Sequence, residues 1–226
     1  MARMTAIPLQ RDEYYPESDG KPLAETEVHL DEIVYLREAL QERFRDVPDV
    51  YVGCDMCFYY VPGRRTTFVA PDLFVVFGVP KLRDGERRRV YKLWEEGRAP
   101  QMVIEVTSDS TQDEDIHTKK ALYERLGVQE YFLHDPLGDY LDPKLQGFQL
   151  VAGRYMPMAP GKDGSLTSQS TGLLLKPENE GLRLIDAATG KLFLRSAEKD
   201  VRSAEKDEEN ARLRAELDRL RRPTPM

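Results

Sequence analysis

The stretch APDLFVVFGVP, residues 70–80, decides the fold together with QMVIEVTS at residues 101–108. Each is a short, nearly continuous apolar run, which predicts a strand that is buried on both faces of a sheet. One carboxylate interrupts each run, namely Asp72 directly after Pro71, and Glu105. Because a buried carboxylate is costly unless it is paired or binds a metal, the two strands predict a functional site as well as a sheet.

Helices and further strands are predicted on either side of these runs. Residues 28–44 carry apolar side chains at helical spacing, and residues 109–127 begin with acidic and capping residues and end at a glycine, as a helix does. Residues 50–63 are typical of one strand that ends in a turn, and residues 128–136 of another strand. Residues 138–194 alternate short strands with turns, which indicates β-hairpins. This order predicts a mixed α/β layer fold.

Composition narrows the class of protein. The chain has 226 residues, with 33 Lys and Arg against 40 Asp and Glu and a net charge of -7. Such an acidic balance argues against a passive, non-specific nucleic-acid coat, but not against an enzyme that meets phosphates through a metal ion. The apolar runs are far shorter than the roughly 18 residues of a membrane span, no signal peptide is evident, and two cysteines exclude a disulfide scaffold. We therefore expect a cytoplasmic protein without a membrane segment.

The C-terminal segment, residues 195–222, contains nine basic and eight acidic residues and a seven-residue repeat of RSAEKD. Leu213 and Leu220 occupy d positions of a heptad, with Leu217 and Asn210 at a positions. A solvated single helix and a weak homodimeric coiled coil are equally good interpretations. The chain then divides into an N-terminal extension (1–13), one α/β domain (14–194), the charged helical tail (195–222) and a short C-terminal end (223–226).

A lysine after the second apolar run has an unusual position. On a helical wheel at about 100° per residue, Lys119 falls on the apolar stripe that faces the sheet, whereas Lys120 lies about 95° away. A sheet-facing lysine needs anionic partners, for which Asp72 and Glu105 are the candidates. Two acids and a lysine suit metal-assisted phosphodiester hydrolysis, with magnesium, or manganese as the alternative, bound by the acids. A structural ion-pair network is the competing interpretation.

These stretches resemble the Uma2 family of restriction-endonuclease-like proteins, within the PD-(D/E)XK nuclease superfamily. The resemblance is carried by APDLFVVFG, by PQMVIEVTSDST and by the pattern D-x3-K-x3-Y-x4-V-x-EYFLHDP, which runs from Asp115 through Lys119 to Pro136. In the superfamily a lysine follows the second acid by two residues, where this chain has Thr107. The resemblance implies that Lys119 of the next helix supplies that lysine instead.

The resemblance also implies a fold and an activity. The fold is an α/β restriction-endonuclease-like core, a mixed sheet flanked by helices, with C-terminal β-hairpins and a charged helical tail. The activity is magnesium-dependent hydrolysis of DNA phosphodiester bonds, with Asp72 and Glu105 as metal ligands and Lys119 as the catalytic lysine. Such nucleases often add an acid from the first helix, for which Glu27 and then Glu25 are candidates; an acid that only complements the helix dipole is the more common case.

Other functions fit the same residues. A metal-dependent phosphatase or an RNA nuclease shares the site chemistry. A catalytically inactive nuclease fold that dimerises through its C-terminal helix, as a binding or assembly module, is the main competitor.

Two further expectations concern substrate contact. Residues 81–98 hold seven basic and four acidic residues, which favours Arg87, Arg88, Arg89 and Lys92 as contacts to nucleic-acid phosphates, although a solvated hairpin fits equally well. His29 is expected to be a structural histidine with satisfied hydrogen bonds rather than a substrate contact.

Overall fold

The computed structural model describes residues 14–18, 20, 24, 26–179 and 181–221, which form twelve strands, four α-helices and one π-helix. In chain order the elements are α1 (Glu27–Arg43), β1 (Val50–Cys54), β2 (Phe58–Tyr59), β3 (Phe68–Val69), β4 (Leu73–Phe77), β5 (Tyr91–Lys92), α2 (Leu93–Glu96), β6 (Met102–Val106), the π-helix (Glu114–Lys119), α3 (Lys120–Leu126), β7 (Glu130–His134), β8 (Leu145–Val151), β9 (Arg154–Pro157), β10 (Leu166–Ser168), β11 (Leu173–Glu178), β12 (Gly181–Asp186) and α4 (Ser196–Arg221).

The two apolar runs form neighbouring strands, β4 and β6, of a six-stranded mixed sheet with the order β1-β4-β6-β7-β8-β9. β4 is antiparallel to both β1 and β6, whereas β6 and β7 are parallel. The connection between these parallel strands contains the π-helix and α3, as expected for a crossover. β10, β11 and β12 form a separate antiparallel sheet, and β3, β2 and β5 form a third one.

Alternate side chains of β4 enter two different cores, because successive residues of a strand point to opposite faces. Leu73 and Val75 pack in the core under α1 and the sheet β10-β11-β12, whereas Phe74 and Val76 pack in the core under α3. All four side chains are fully buried, and a buried side chain of this size stabilises the fold by about 1.5–3 kcal/mol. The predicted burial of this strand on both faces is confirmed, as is the mixed α/β architecture with hairpins and a C-terminal helix.

The first predicted helix is α1, and its start has a local cause. The hydroxyl of Thr26 accepts a hydrogen bond from the backbone N–H of His29 at 3.1 Å, which caps the first turn. Ile33, Leu36 and Leu40 lie on one face and are buried against the sheet. Packing of this stripe therefore sets the orientation of the N-terminal turn relative to β4 and β6.

The prediction of one strand over residues 50–63 is wrong. The chain instead forms β1 and β2, which belong to different sheets. Asp55 separates them with a left-handed backbone (φ 41°), and its N–H donates to the carbonyls of Pro71 and Asp72, each at 3.1 Å. Aspartate tolerates this conformation better than most residues, so the break is a local turn that the apolar pattern hides.

The predicted helix over residues 109–127 is confirmed from residue 112 onward, but it takes two helical forms. A π-helix covers Glu114–Lys119, and regular α-helix follows until Gly127, whose φ of 83° ends it. Because a π-helix has more residues per turn than an α-helix, a wheel drawn at about 100° per residue does not describe the segment that ends at Lys119. Lys119 is nevertheless buried.

The tail begins as a docked helix and continues as an exposed one. Arg183 of β12 forms two hydrogen bonds with the carboxylate of Glu198, and Arg195 donates to the buried Glu32 of α1 at 2.9 Å. From residue 200 onward, every side chain of α4 whose exposure is described is exposed. Among the described helices, none combines the length and the apolar character that a membrane crossing requires.

Candidate active site

Glu105 lies in the middle of the candidate site and is completely buried on β6. Its Oε2 accepts hydrogen bonds from Lys119 Nζ at 2.9 Å and from the backbone N–H of Asp72 at 3.2 Å, and its Oε1 accepts one from the hydroxyl of Tyr123 at 2.7 Å. Burial raises the pKa of Glu105 well above its usual value, against the opposing effect of the Lys119 ammonium. The carboxyl group is therefore held in one position by three donors from three different elements.

Asp72 immediately precedes β4, beside Glu105. Its Oδ2 accepts a hydrogen bond from the backbone N–H of Val106 at 2.7 Å, while its own N–H donates to Glu105. The two strands thus exchange hydrogen bonds between a backbone and a side chain where their regular pairing ends. This exchange brings the two sequence-predicted carboxylates together, and the Asp72 side chain keeps 17% exposure.

Lys119 joins the two carboxylates to a third one. Its Nζ lies 2.8 Å from Oδ1 of Asp115, four residues earlier in the π-helix, as well as 2.9 Å from Glu105. Burial by itself lowers the pKa of Lys119, but the nearby carboxylates of Glu105, Asp115 and Asp72 outweigh it and raise that pKa above its usual value. The lysine is therefore a buried ammonium group, with side-chain exposure of only 10%.

Asp115 and Tyr123 belong to the site although they were not among the site residues predicted from sequence. Asp115 is 1% exposed, and burial raises its pKa, against the effect of Lys119. The spacing D-x3-K-x3-Y was a usable signal, since residues four apart meet on one side of a helix. The acid was interpreted instead as part of a polar first turn.

The site has an excess of negative charge. If Asp72, Glu105 and Asp115 are all ionised, three carboxylates surround one ammonium group and leave a local charge of -2. A divalent cation or the uptake of protons balances such an excess. Across the described ranges no three His, Cys, Asp or Glu side chains are arranged as a metal-ligand set. Two carboxylates still fit magnesium, which usually keeps several water ligands and binds through one or two carboxylates.

His29 differs from its sequence-based expectation. Both of its ring nitrogens are buried and neither has a hydrogen-bond partner among the described residues, so the expectation of a satisfied histidine is wrong. Its Nε2 lies 3.9 Å from Oδ2 of Asp72. The hydroxyl of Thr107 is also buried, and it has no hydrogen-bond partner among the described residues. Both residues line a small cavity of about 80 Å³ next to the first turn of α1.

The structure locates one of the two acids that were considered near the first helix. Glu27 is the first residue of α1, and its side chain is exposed. Glu25 lies outside the described residues. Helix α1 directs His29, rather than an acid, toward Asp72.

Most of the basic residues selected for phosphate contact are engaged within the protein. Arg88, with 2% side-chain exposure, forms two hydrogen bonds with Glu96 and stacks over Tyr51. Arg89 pairs with Glu17 at 3.0 Å, and Lys92 pairs with Glu95 at 3.2 Å. Arg87 is the one of the four that is exposed without an ion pair to the described residues.

Comparison with known proteins assigns the chain to a family. The family model named Uma2 and described as "Putative restriction endonuclease" matches residues 3–177. A solved structure, described as a "putative nuclease belonging to DUF820 from Anabaena variabilis ATCC 29413", has a TM-score of 0.49 and 14% sequence identity, covering 65% of this chain and 75% of that chain. No curated protein matches. Since the family model covers most of its length, the chain belongs to the Uma2 family of restriction-endonuclease-like proteins.

Proposed function

We propose that this protein is a magnesium-dependent endonuclease that hydrolyses DNA phosphodiester bonds, with manganese as the alternative ion. The observation that carries the proposal is the group of Asp72, Glu105 and Asp115 near a single ammonium, that of Lys119. When all three carboxyl groups are ionised, their excess charge of -2 is what one divalent cation neutralises. Family membership supports the same reaction class.

Each side chain has a distinct role in this proposal. Asp72 and Glu105 hold the ion, which when bound polarises a phosphodiester and makes an attacking water more acidic. Lys119, fixed between Glu105 and Asp115, orients that water and stabilises the charge that develops on the phosphate oxygens. Asp115 and Tyr123 are positioning residues, since they act through Lys119 and Glu105.

Asp72 is the more open of the two metal ligands. Glu105 already accepts three hydrogen bonds, two at Oε2 and one at Oε1, so only Oε1 keeps a lone pair for an ion. Asp72 is partly exposed, and a single backbone donor holds one of its oxygens. Glu27, or Glu25, remains the candidate for an additional acid.

The test is cleavage of plasmid DNA and of a structured RNA by the purified protein with magnesium. We expect Asp72→Asn to reduce cutting by at least about a hundredfold, because it removes charge from the ion site and keeps the shape of the side chain. Asp113→Asn is the matched control, since Asp113 is exposed at the start of the π-helix. Undiminished cutting by the Asp72→Asn protein sinks the assignment, and cutting of RNA alone changes the substrate class.

The second candidate function is assembly, and α4 favours it. Leu213 and Leu217 are 48% and 53% exposed on one seam of the helix. We propose that two copies of the chain pair in parallel, because only that arrangement stacks each leucine on its own copy and Asn210 on Asn210. It also brings Glu209, at a g position, to Arg214, at an e position of the second copy. An antiparallel pair of full overlap instead places Leu213 against Ala204. Dimerisation is compatible with catalysis. If the site of Asp72, Glu105 and Lys119 is catalytically inactive, assembly is the only function that we propose.

A further inference from the structure

A cleft of about 560 Å³ along the open edge of the main sheet plays no part in the proposed reaction. α1, β1 and residues 81–88 enclose it, and β1 pairs with β4 alone in its sheet. Among the described residues the lining of the cleft contains no Asp or Glu, but it contains five cationic side chains: Arg37, Arg45, Lys81, Arg87 and Arg88. The whole chain has a net charge of -7, so the cleft is a positively charged region on an acidic protein.

Three of the five cations are available to a ligand. Arg88 is neutralised by Glu96, and Lys81 donates to backbone carbonyls at the end of α1. Arg37, Arg45 and Arg87 are exposed, and the structure records no ion pair for them with any residue that it describes. Unpaired guanidinium groups that face one hollow are the groups that bind phosphate oxygens, often with two parallel hydrogen bonds.

The cleft leads toward the candidate active site. One end is lined by Cys54, which pairs across the sheet with Leu73, the residue directly after Asp72. α1 also connects the two places, because His29 in its first turn lies beside Asp72 and Arg37, about two turns later, lines the cleft. A strand of nucleic acid that lies along β1 therefore leads toward Cys54, whose partner in β4 is the residue next to Asp72.

We propose that this cleft binds the phosphodiester backbone of the nucleic-acid substrate, through Arg37, Arg45 and Arg87. The proposal rests on the proposed nuclease function for the identity of the ligand, but binding does not require that the protein cuts. It also moves the substrate contact away from Arg89 and Lys92, whose charges are already neutralised by Glu17 and Glu95. An acidic peptide added along the edge of β1 is the competing occupant.

The experiment measures binding separately from cleavage. A labelled oligonucleotide of about 20 nucleotides, single-stranded or duplex, is titrated in chelator at about 50 mM salt with full-length protein carrying Asp72→Asn, and its anisotropy is followed. In that background we expect Arg37→Gln with Arg87→Gln to weaken binding about tenfold or more, and to lower the slope of log affinity against log salt by about two for the duplex. Arg125→Gln with Lys162→Gln, which removes two exposed charges outside the cleft, should change affinity less than about twofold.

Three results overturn the cleft proposal. They are equal affinity of the cleft variant and the control variant, no measurable binding by the parent protein, and displacement of the oligonucleotide by poly-glutamate at equal charge concentration. If the cleft variant binds weakly as expected while wild-type protein with magnesium cuts nothing, the nuclease proposal fails and the cleft proposal stands.

Discussion

Lys119 shows how much one buried charge depends on its neighbours. It lies within 2.9 Å of two carboxylates, inside a region that water barely reaches. Burying an ion is unfavourable, and removing only one partner of a buried pair leaves the other without compensation. We therefore expect the residue that serves the proposed reaction also to stabilise the folded state when no metal is bound.

We expect Lys119→Met to lower the free energy of unfolding by about 3–5 kcal/mol at neutral pH, because it leaves the buried carboxylates unopposed. Adding Glu105→Gln should restore part of this loss by removing one of those charges. Urea unfolding in chelator measures both. Lys120→Met is the control and should cost less than about 1 kcal/mol, since Lys120 lies one residue away outside the cluster. Equal losses for the two lysines contradict the prediction.

His134 predicts a dependence of stability on pH. It is fully buried at the end of β7, and burial lowers its pKa to about 3 from an ordinary value of 6.5. Its Nε2 lies 3.6 Å from Oε1 of Glu32, but a neutral imidazole forms no salt bridge there near neutral pH. Below about pH 6.5 the unfolded chain binds a proton that the folded chain does not, so this residue makes stability fall as the pH falls.

The loss attributable to His134 is about 2 kcal/mol between pH 6.5 and about pH 5. His134→Asn keeps a donor toward the carbonyl of Lys144, which Nδ1 contacts at 3.3 Å, and removes the titration. Urea unfolding at the two pH values should show a smaller decrease for the variant than for wild type. An equal decrease in both proteins assigns the effect to other groups.

At the scale of the element, the pairing of β1 with β4 depends on a missing side chain. Gly53 lies opposite Phe74 in the register of the two strands, and a Cβ built at Gly53 falls 2.1 Å from the Phe74 ring. The ring occupies this space and contacts Phe58 and Tyr91. Glycine in a strand marks such a close approach.

Gly53→Ala should lower the free energy of unfolding by about 1–3 kcal/mol, because the methyl group cannot enter the packed core without moving the ring. Phe74→Leu provides room, so the double variant should be more stable than the sum of the single changes predicts. Thermal unfolding of the four proteins completes the cycle. Additive losses show that the two side chains do not compete for space.

For the whole molecule, the proposed pairing of two copies through α4 predicts a dependence on protein concentration. Its first turn is docked through Arg183 and Arg195, whereas its later turns have exposed side chains where these are described. A single exposed helix of this length gains little from packing, while a pair of them buries the leucine seam.

Leu213→Ala with Leu217→Ala should shift the chain from dimer to monomer at micromolar concentration, with little change in thermal stability at the lowest concentration. Light scattering after size-exclusion chromatography, repeated over a range of loading concentrations, measures this. Val201→Ala is the control, since Val201 is exposed but lies at an f position outside the seam. A wild-type protein that stays monomeric at every concentration removes the assembly function.

Sequence patterns predicted those parts of the molecule that local rules govern. The strands around Asp72 and Glu105 followed from their apolar runs, and α1 followed from its apolar spacing, because burial imposes these periods on consecutive residues. The turn at Asp55 and the π-helix could not be predicted in this way, since each depends on hydrogen bonds that the apolar pattern does not encode. The burial of Asp115 was likewise hidden among neighbouring acids.

By itself, the sequence determined that one carboxylate interrupts each of two buried strands and that a lysine follows on the next helix, which is a property of residue types and spacing. Only the tertiary structure decided which donors hold Glu105, that Asp115 completes the ion cluster, and that Arg37 and Arg45 join Arg87 in one cleft. These groups come from segments far apart in the chain, and their contacts form only when the sheet and α1 pack together. The physical reason is that local periodicity reports burial, whereas partnership between charges depends on distances that only packing sets.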